Sequence, residues 1–229
     1  MSEVALPRGA AARLAAVPMP PRIAALARDR RGYPIPRFID RLADKDGQPD
    51  FRIADTAFLK HCVKRRRCWI CGEMMGRFQT FPIGPMCAIT RTNAEPPSHL
   101  ECCRYSVQVC PFLAVPEMRR IEKGLPEDRY VAGEMIKRNP GAVCLWTVEH
   151  YQTFKDPRGL PLFHIGEPTS VEWWCEGRTA TRAEVDASIE SGVPILEDVS
   201  RADPQPGAME ALAAAVRKVE TYLPLPDTR

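Results

Sequence analysis

The sequence has no apolar run approaching the ~18 residues that a membrane-spanning helix requires, so no span is expected. Its N-terminus, MSEVALPRGAAARLAAVPMPPRIAALARDRRG, lacks the uninterrupted apolar core of a secretory signal and reads as a tail rather than a leader. Gly-x-Ser-x-Gly, a phosphate-binding glycine loop and His-Glu-x-x-His are all missing, so no ready-made hydrolase, nucleotide or metallopeptidase motif is present. Excess charge is missing too. Thirty-two Lys and Arg against 29 Asp and Glu leave +3, too little by itself to argue for nucleic acid. A cytoplasmic location follows as the expectation, and with it a reducing compartment in which disulfides are rare.

What is present is a globular composition, 45% apolar and 27% charged over 229 residues, enough for one ordinary domain or two small ones. Twenty-three prolines, about twice the usual share, demand many turns and extended segments. The sharp departure is nine cysteines, an odd number that suits no closed disulfide set. Seven of them, with two of the four histidines, fall between residues 61 and 110. Clustered cysteines in a reducing compartment point first to metal, then to redox chemistry or core packing.

Zinc needs about four nitrogen or sulfur ligands in a tetrahedron. Cys68-x-x-Cys71-Gly72 puts two thiolates on one tight turn, with the glycine permitting the reversal. His99-x-x-Cys102 supplies a second pair on the opening turn of a helix, where residues three apart share a face and negative charge is favoured. Cys68, Cys71, His99 and Cys102 are therefore the candidate ligands of a structural Zn²⁺, laid out as in a treble clef: knuckle, hairpin, helix. Cys87, after Gly84-Pro85, is the spare ligand. Cys103 and Cys110 share an apolar arc with Leu100 and Val107 and read as packing, as do Cys62 and, at the surface, His61.

The expected fold class is α+β: a treble-clef-like zinc knuckle plus a small antiparallel sheet with flanking helices, rich in proline and loops. Residues 1–35 read as a flexible tail with a candidate short helix around 21–30, residues 36–139 as the zinc-knuckle region, and residues 140–229 as a β-hairpin with C-terminal helices. Within these, 54–67 is a helix capped by Asp55 or Thr56, 50–53 and 78–83 are short strands, and Ser98-His-Leu-Glu101 is a capping box. Residues 143–154 read as sheet, Asp156-Pro-Arg-Gly159 as a turn and 160–165 as its hairpin partner. Residues 171–174 add a strand, Thr181-Arg-Ala-Glu184 is a second capping box, and Gly192 with Pro194 stops that helix. A last helix at 207–222 carries an apolar stripe.

Lys64, Arg65, Arg66 and Arg67 adjoin the knuckle and form the candidate nucleic-acid contact; the plainer reading is a solvated helix end. His150 and His164 lie on candidate strands that a hairpin could bring together. A metal-dependent nuclease on a treble-clef frame is the alternative function, but it needs an open metal position, whereas three cysteines and the one knuckle histidine make a closed set.

The phrases RGYPIPRFI, DFR, CWICGEMMGRF, FPIGPMCAITRTNAEPPSHLECC, CPFL, KRNPG, FHIGEP and VEWWCEGRTATRAEVDASIESGVP, spread over residues 20–200, together resemble uncharacterised proteins encoded in bacteriophage and prophage genomes. The resemblance implies a phage or prophage origin, action in the host cytoplasm on a host or phage protein or on nucleic acid, and no particular reaction. Cys103 stands where the family pattern has Ala, which leaves Cys102 and Cys103 both open as the fourth ligand. The function expected is a non-enzymatic protein- or nucleic-acid-binding module with a structural metal site.

Overall fold

A computed structural model describes residues 10–39, 49–52, 54–115 and 141–226. The chain runs α1 (Ala10–Ala16), α2 (Pro21–Ala24), α3 (Thr56–Arg65), β1 (Gln79–Ile83), α4 (Pro85–Thr90), β2 (Thr92–Asn93), α5 (Leu100–Val109) and α6 (Pro111–Ala114). Then follow β3 (Ala142–Val148), β4 (Tyr151–Lys155), β5 (Pro161–Ile165), β6 (Ser170–Cys175), β7 (Arg178–Thr179), α7 (Arg182–Glu190), α8 (Val193–Ala202) and α9 (Ala208–Val219). This is an α+β chain with two antiparallel sheets, ordered β1-β3-β6-β7 and β2-β5-β4.

Strand β3 explains the architecture. Each of its residues is buried, because helices and loops cover both of its faces. Ala142, Cys144, Trp146 and Val148 point into one core with Phe81, Ile83, Phe163, Trp173, Val185 and Leu212. Val143 and Leu145 point the other way, into a second core with Cys68, Ile70, Cys102, Cys103 and Val107. A strand buried on both faces loses the alternation that marks a half-exposed one, hence the continuous apolar run AVCLWTV. The second core is the one that carries the cysteines.

Local signals hold at several places. Asp55 caps α3, its carboxylate accepting the N–H groups of Ala57 and Phe58 at 2.8 and 3.0 Å. The Thr181–Glu184 capping box opens α7 with both reciprocal bonds. Asp156 closes the β4–β5 turn, taking the N–H groups of Arg158 and Leu160 on its carboxylate while its carbonyl accepts from Gly159.

Tertiary contacts override other readings. The stretch 143–154 is two strands in different sheets: β3 is paired on both sides by β1 and β6, and after Glu149-His150 the chain turns onto β5. Gly166 allows that crossing, since a Cβ there would come within 2.5 Å of the His150 carbonyl oxygen. Residues 50–52 make a turn around the Asp50 carboxylate, not a strand. Ser98 does not cap α5. Its backbone bonds in both directions to Thr80 and its hydroxyl accepts the Ile70 N–H, leaving His99 at the cap position. Gly84-Pro85 ends β1 and also opens α4, and Gly192 is followed at once by α8 with Pro194 in its first turn.

The expected tail packs against the rest of the chain within its described part: Val17, Ile23 and Tyr33 are buried in the second core. The boundary drawn at residue 139 is crossed by the β1–β3 pairing, so the knuckle region and the C-terminal region share a sheet. Two further expectations from the sequence, a turn at Asp44-Lys-Asp-Gly47 and a helical turn or two over 115–123, fall on residues that, Val115 apart, lie outside the described ones.

Candidate metal centre

Three pieces of chain build the centre. The first is a tight reversal after α3. Arg66 ends the helix in the left-handed region, and Arg67 and Met74 face each other as an isolated β-bridge. Between them Cys68 N–H donates to the Glu73 carbonyl at 2.8 Å and Gly72 N–H to the Cys68 carbonyl at 2.9 Å. Gly72 has φ +80°, as the turn requires. Inside the reversal the Cys71 N–H points at Cys68 Sγ, 3.4 Å away, so a backbone donor steadies that sulfur.

The second piece is the entry to α5. The Ser98–Thr80 bridge fixes the approach, and His99 at the cap and Cys102 in the first turn then face the reversal. The third is Arg22 of α2, whose guanidinium spans Glu73 on the reversal and Glu101 on α5, tying the two halves together from outside. Both ion pairs are well exposed, so their contribution is to alignment more than to stability.

Together these bring Cys68, Cys71, His99 and Cys102 into one group whose ligand atoms all lie within 4.8 Å of one another. His99 Nδ1 is 3.4 Å from Cys71 Sγ and 3.9 Å from Cys102 Sγ. A tetrahedral shell with sulfur bonds near 2.3 Å spaces its ligand atoms by roughly 3.5–4 Å, so the donors are at the separation that one small ion demands. The other imidazole nitrogen settles the tautomer. His99 Nε2 lies 3.1 Å from the Met74 carbonyl oxygen, which can only accept, so Nε2 carries a hydrogen, and in the neutral ring that would ligate a metal the Nδ1 lone pair faces the sulfurs. Cys68 and Cys102 are fully buried. These residues could hold a metal ion.

The proton balance of the group points the same way. Hydrogen bonds that the ring can donate to the Cys68 and Cys71 sulfurs raise His99 to about 10. Burial pushes Cys68 up, but hydrogen bonds from Cys102, Cys71 and His99 outweigh it and bring the thiol well below its usual range. Hydrogen bonds to Cys68 and then Cys71, with burial, push Cys102 up. In the metal-free group, then, protons on His99 and Cys102 hold the Cys68 sulfur, and a bound cation would displace them.

The remaining cysteines stand apart from the group. Burial raises Cys62 to about 12, Cys87 to about 11 and Cys103 well above its usual value. Cys87 is half-buried on α4 and packs against the first core, so the structure does not bring the spare ligand to the centre. Cys103 is fully buried and its thiol points at the Thr80 carbonyl, 3.7 Å away. Cys62 lies behind the reversal, its thiol 3.9 Å from the Cys68 carbonyl. Cys110 joins α5 to α6.

No hairpin lies between the reversal and α5. β1 pairs with β3, and β2 pairs with β5 in the other sheet. Of the basic run, Lys64, Arg65 and Arg66 are exposed, whereas Arg67 is half-buried with its Nε buried and unpartnered among the described residues. His150 sits in the β3–β4 turn, and His164 on β5 opposite Gln152 and Thr92; both are exposed, and neither belongs to a metal-capable group among the described residues. Sequence reasoning missed Arg22, the Met74 carbonyl and the Ser98 hydroxyl as supports of the centre. Only the odd serine of an apparent capping box hinted at the last.

Among the described residues, no helix is long and apolar enough to cross a membrane. Comparison with known proteins finds no matching family, no similar curated protein and no similar solved structure.

Proposed function

We propose that this protein is a non-enzymatic binding module in which Cys68, Cys71, His99 and Cys102 hold one structural zinc ion. The observation that carries the reading is the donor set: three sulfurs and an imidazole Nδ1 within 4.8 Å, with Nε2 committed to the Met74 carbonyl. Thiolate-rich sets select zinc and similar soft ions over magnesium or calcium. Four protein donors around one ion leave no position for water or substrate, which favours a structural role over a catalytic one. When bound, the ion supplies a cross-link between the reversal and α5, in a part of the chain where loops outweigh regular structure. We read the two ligand pairs as the counterparts of knuckle and helix in a treble-clef-like arrangement, although β1 and α4, not a hairpin, separate them.

The likeness of the sequence to phage and prophage proteins supports a setting in the host cytoplasm, with a host or phage macromolecule as partner. Elemental analysis of protein purified without chelator tests the metal: about one zinc per chain is expected. Protein free of metal, or a centre that absorbs visible light, overturns zinc. Cleavage of nucleic acid by the zinc-loaded protein overturns the non-enzymatic reading.

A further inference from the structure

Beside the metal centre is an open cleft of about 670 Å³, between the end of α3, the segment leading from the reversal into β1 and the β3–β4 turn. Arg66, Arg77, Gln79, His150, Tyr151 and Thr153 line it. We infer that this cleft binds single-stranded nucleic acid, with Arg66 and Arg77 on backbone phosphate and Gln79 on the edge of a base. The inference rests on the binding-module reading and names its partner.

Gln79 is only 2% exposed, and its Oε1 has no hydrogen-bond partner among the described residues. A buried acceptor left unpaired is costly, and the N–H of a ligand entering the cleft relieves it. Every nucleobase offers an amino or ring N–H on its edge. The cations stand at the rim. Arg66 is exposed, donates only to the Gly76 carbonyl, at 3.3 Å, and has no carboxylate partner among the described residues. Arg77 pairs with Glu149 at 2.7 Å, which neutralises the one carboxylate in the lining and leaves Arg77 mostly exposed. Exposed Lys64 and Arg65, on the last turn of α3, extend the positive rim.

An aromatic surface completes the set. Phe78 lies outside the cleft lining but next to it in sequence, 53% exposed between Arg77 and Gln79, with the Arg77 guanidinium 5.6 Å from its ring centre. Cations that follow a backbone, an exposed ring for stacking and a buried amide for a base edge are the parts from which single-strand sites are built. An acidic peptide would satisfy the arginines but leave the Gln79 amide and the Phe78 ring without a role.

The test is fluorescence anisotropy of a short labelled single-stranded oligonucleotide with the full-length, metal-replete protein at low salt. Wild type binds, and binding weakens as salt rises. Arg66→Asn with Arg77→Gln weakens it about tenfold or more and makes the salt dependence shallower by about 0.7 log unit per lost contact. Asn is the replacement at residue 66 because it tolerates the left-handed φ of 50° there. Gln79→Met weakens binding about fivefold with the salt slope unchanged, the mark of a base contact. Arg217→Gln, a distant exposed site on α9, changes nothing. The exposed arginine pair keeps the test valid should Gln79→Met fail to fold.

No binding by metal-replete wild type overturns the cleft and leaves the metal centre standing. So does equal weakening by Arg217→Gln, or displacement of the oligonucleotide by polyglutamate as readily as by unlabelled strand. Metal-free wild type that binds with the same dependence on the cleft supports the inference while overturning the metal reading.

Discussion

His99 Nε2 lies 3.1 Å from the carbonyl oxygen of Met74, on the segment leaving the Cys68–Cys71 reversal. That contact makes the reversal itself choose which imidazole nitrogen faces the sulfurs. It also makes ligand geometry depend on backbone: the carbonyl that orients His99 belongs to the hairpin that positions Cys68 and Cys71. The two halves of the centre are thereby coupled: a shift of the reversal also moves the acceptor that orients His99.

Cys102 and Cys103 separate on this geometry. Cys102 is in the group of four, while Cys103 Sγ points at the Thr80 carbonyl in the second core. Cys102→Ser is expected to lose the metal and much of the stability of the second core, because structural metal binding contributes folding free energy directly. Cys103→Ala is expected to keep full metal content at a cost of about 1 kcal/mol, as for a modest core deletion. Metal content and denaturant unfolding of the two variants check this, and metal loss from Cys103→Ala would reverse the assignment.

Removing the metal with a chelator is expected to act unevenly. Hydrogen exchange of the chelated protein should show lost protection in residues 66–76 and in α5, and in Ile23 and Tyr33, which pack in the same core. The β4–β5 hairpin and α7, which belong to the first core, should hold their protection. Uniform loss across both cores would mean that they unfold as one unit.

The features legible in the sequence are those that a few neighbouring residues decide. Asp55, Asp156 and Thr181 each hold backbone N–H groups within a few positions of themselves, so spacing alone located α3, the β4–β5 turn and the start of α7. The ligand group was legible because each pair lies within one turn. Partners far along the chain were not. Ser98 matches a capping box, yet Thr80 and Ile70, 18 and 28 residues away, claim its backbone and hydroxyl. The break at Glu149-His150 has no glycine or proline to announce it; it exists because β3 is saturated by β1 and β6. Pro194 was read only as a stop, although proline also suits the first turn of the helix that follows.

The Arg178–Glu184 pair predicts a pH dependence. A two-pronged hydrogen bond from Arg178, 2.5 and 3.0 Å, lowers Glu184 from 4.5 to about 2 against the opposing effect of burial, with the Thr181 N–H adding to the lowering. A carboxylate whose folded pKa is depressed stabilises the fold above its unfolded value and loses that contribution as pH falls through the folded value. Glu184→Gln keeps a residue competent for the capping box but removes the charge. It is expected to cost on the order of 1–2 kcal/mol at pH 7, with the gap narrowing below about pH 4.5 and closing towards pH 2. Urea unfolding of both proteins across that window measures it. A gap independent of pH would show that the ion pair contributes nothing.

Gly72 offers a test of the reversal that leaves every ligand in place. Its φ of +80° lies in the left-handed region that strains alanine, and a Cβ there would sit 3.1 Å from Arg37 Cγ. Gly72→Ala must therefore distort the turn that holds Cys68 and Cys71 while also displacing the Arg37 stem. Gly76, four residues on, is the control: its φ lies outside the strained range and nothing lies within 4 Å of a Cβ built on it. Gly72→Ala is expected to cost about 1–2 kcal/mol and to weaken metal retention against a competing chelator. Gly76→Ala should be neutral, or stabilising by a few tenths of a kcal/mol through the unfolded chain. Equal effects of the two substitutions on chelator competition would mean that the reversal does not need its left-handed residue, and that the Cys68–Cys71 spacing is set elsewhere.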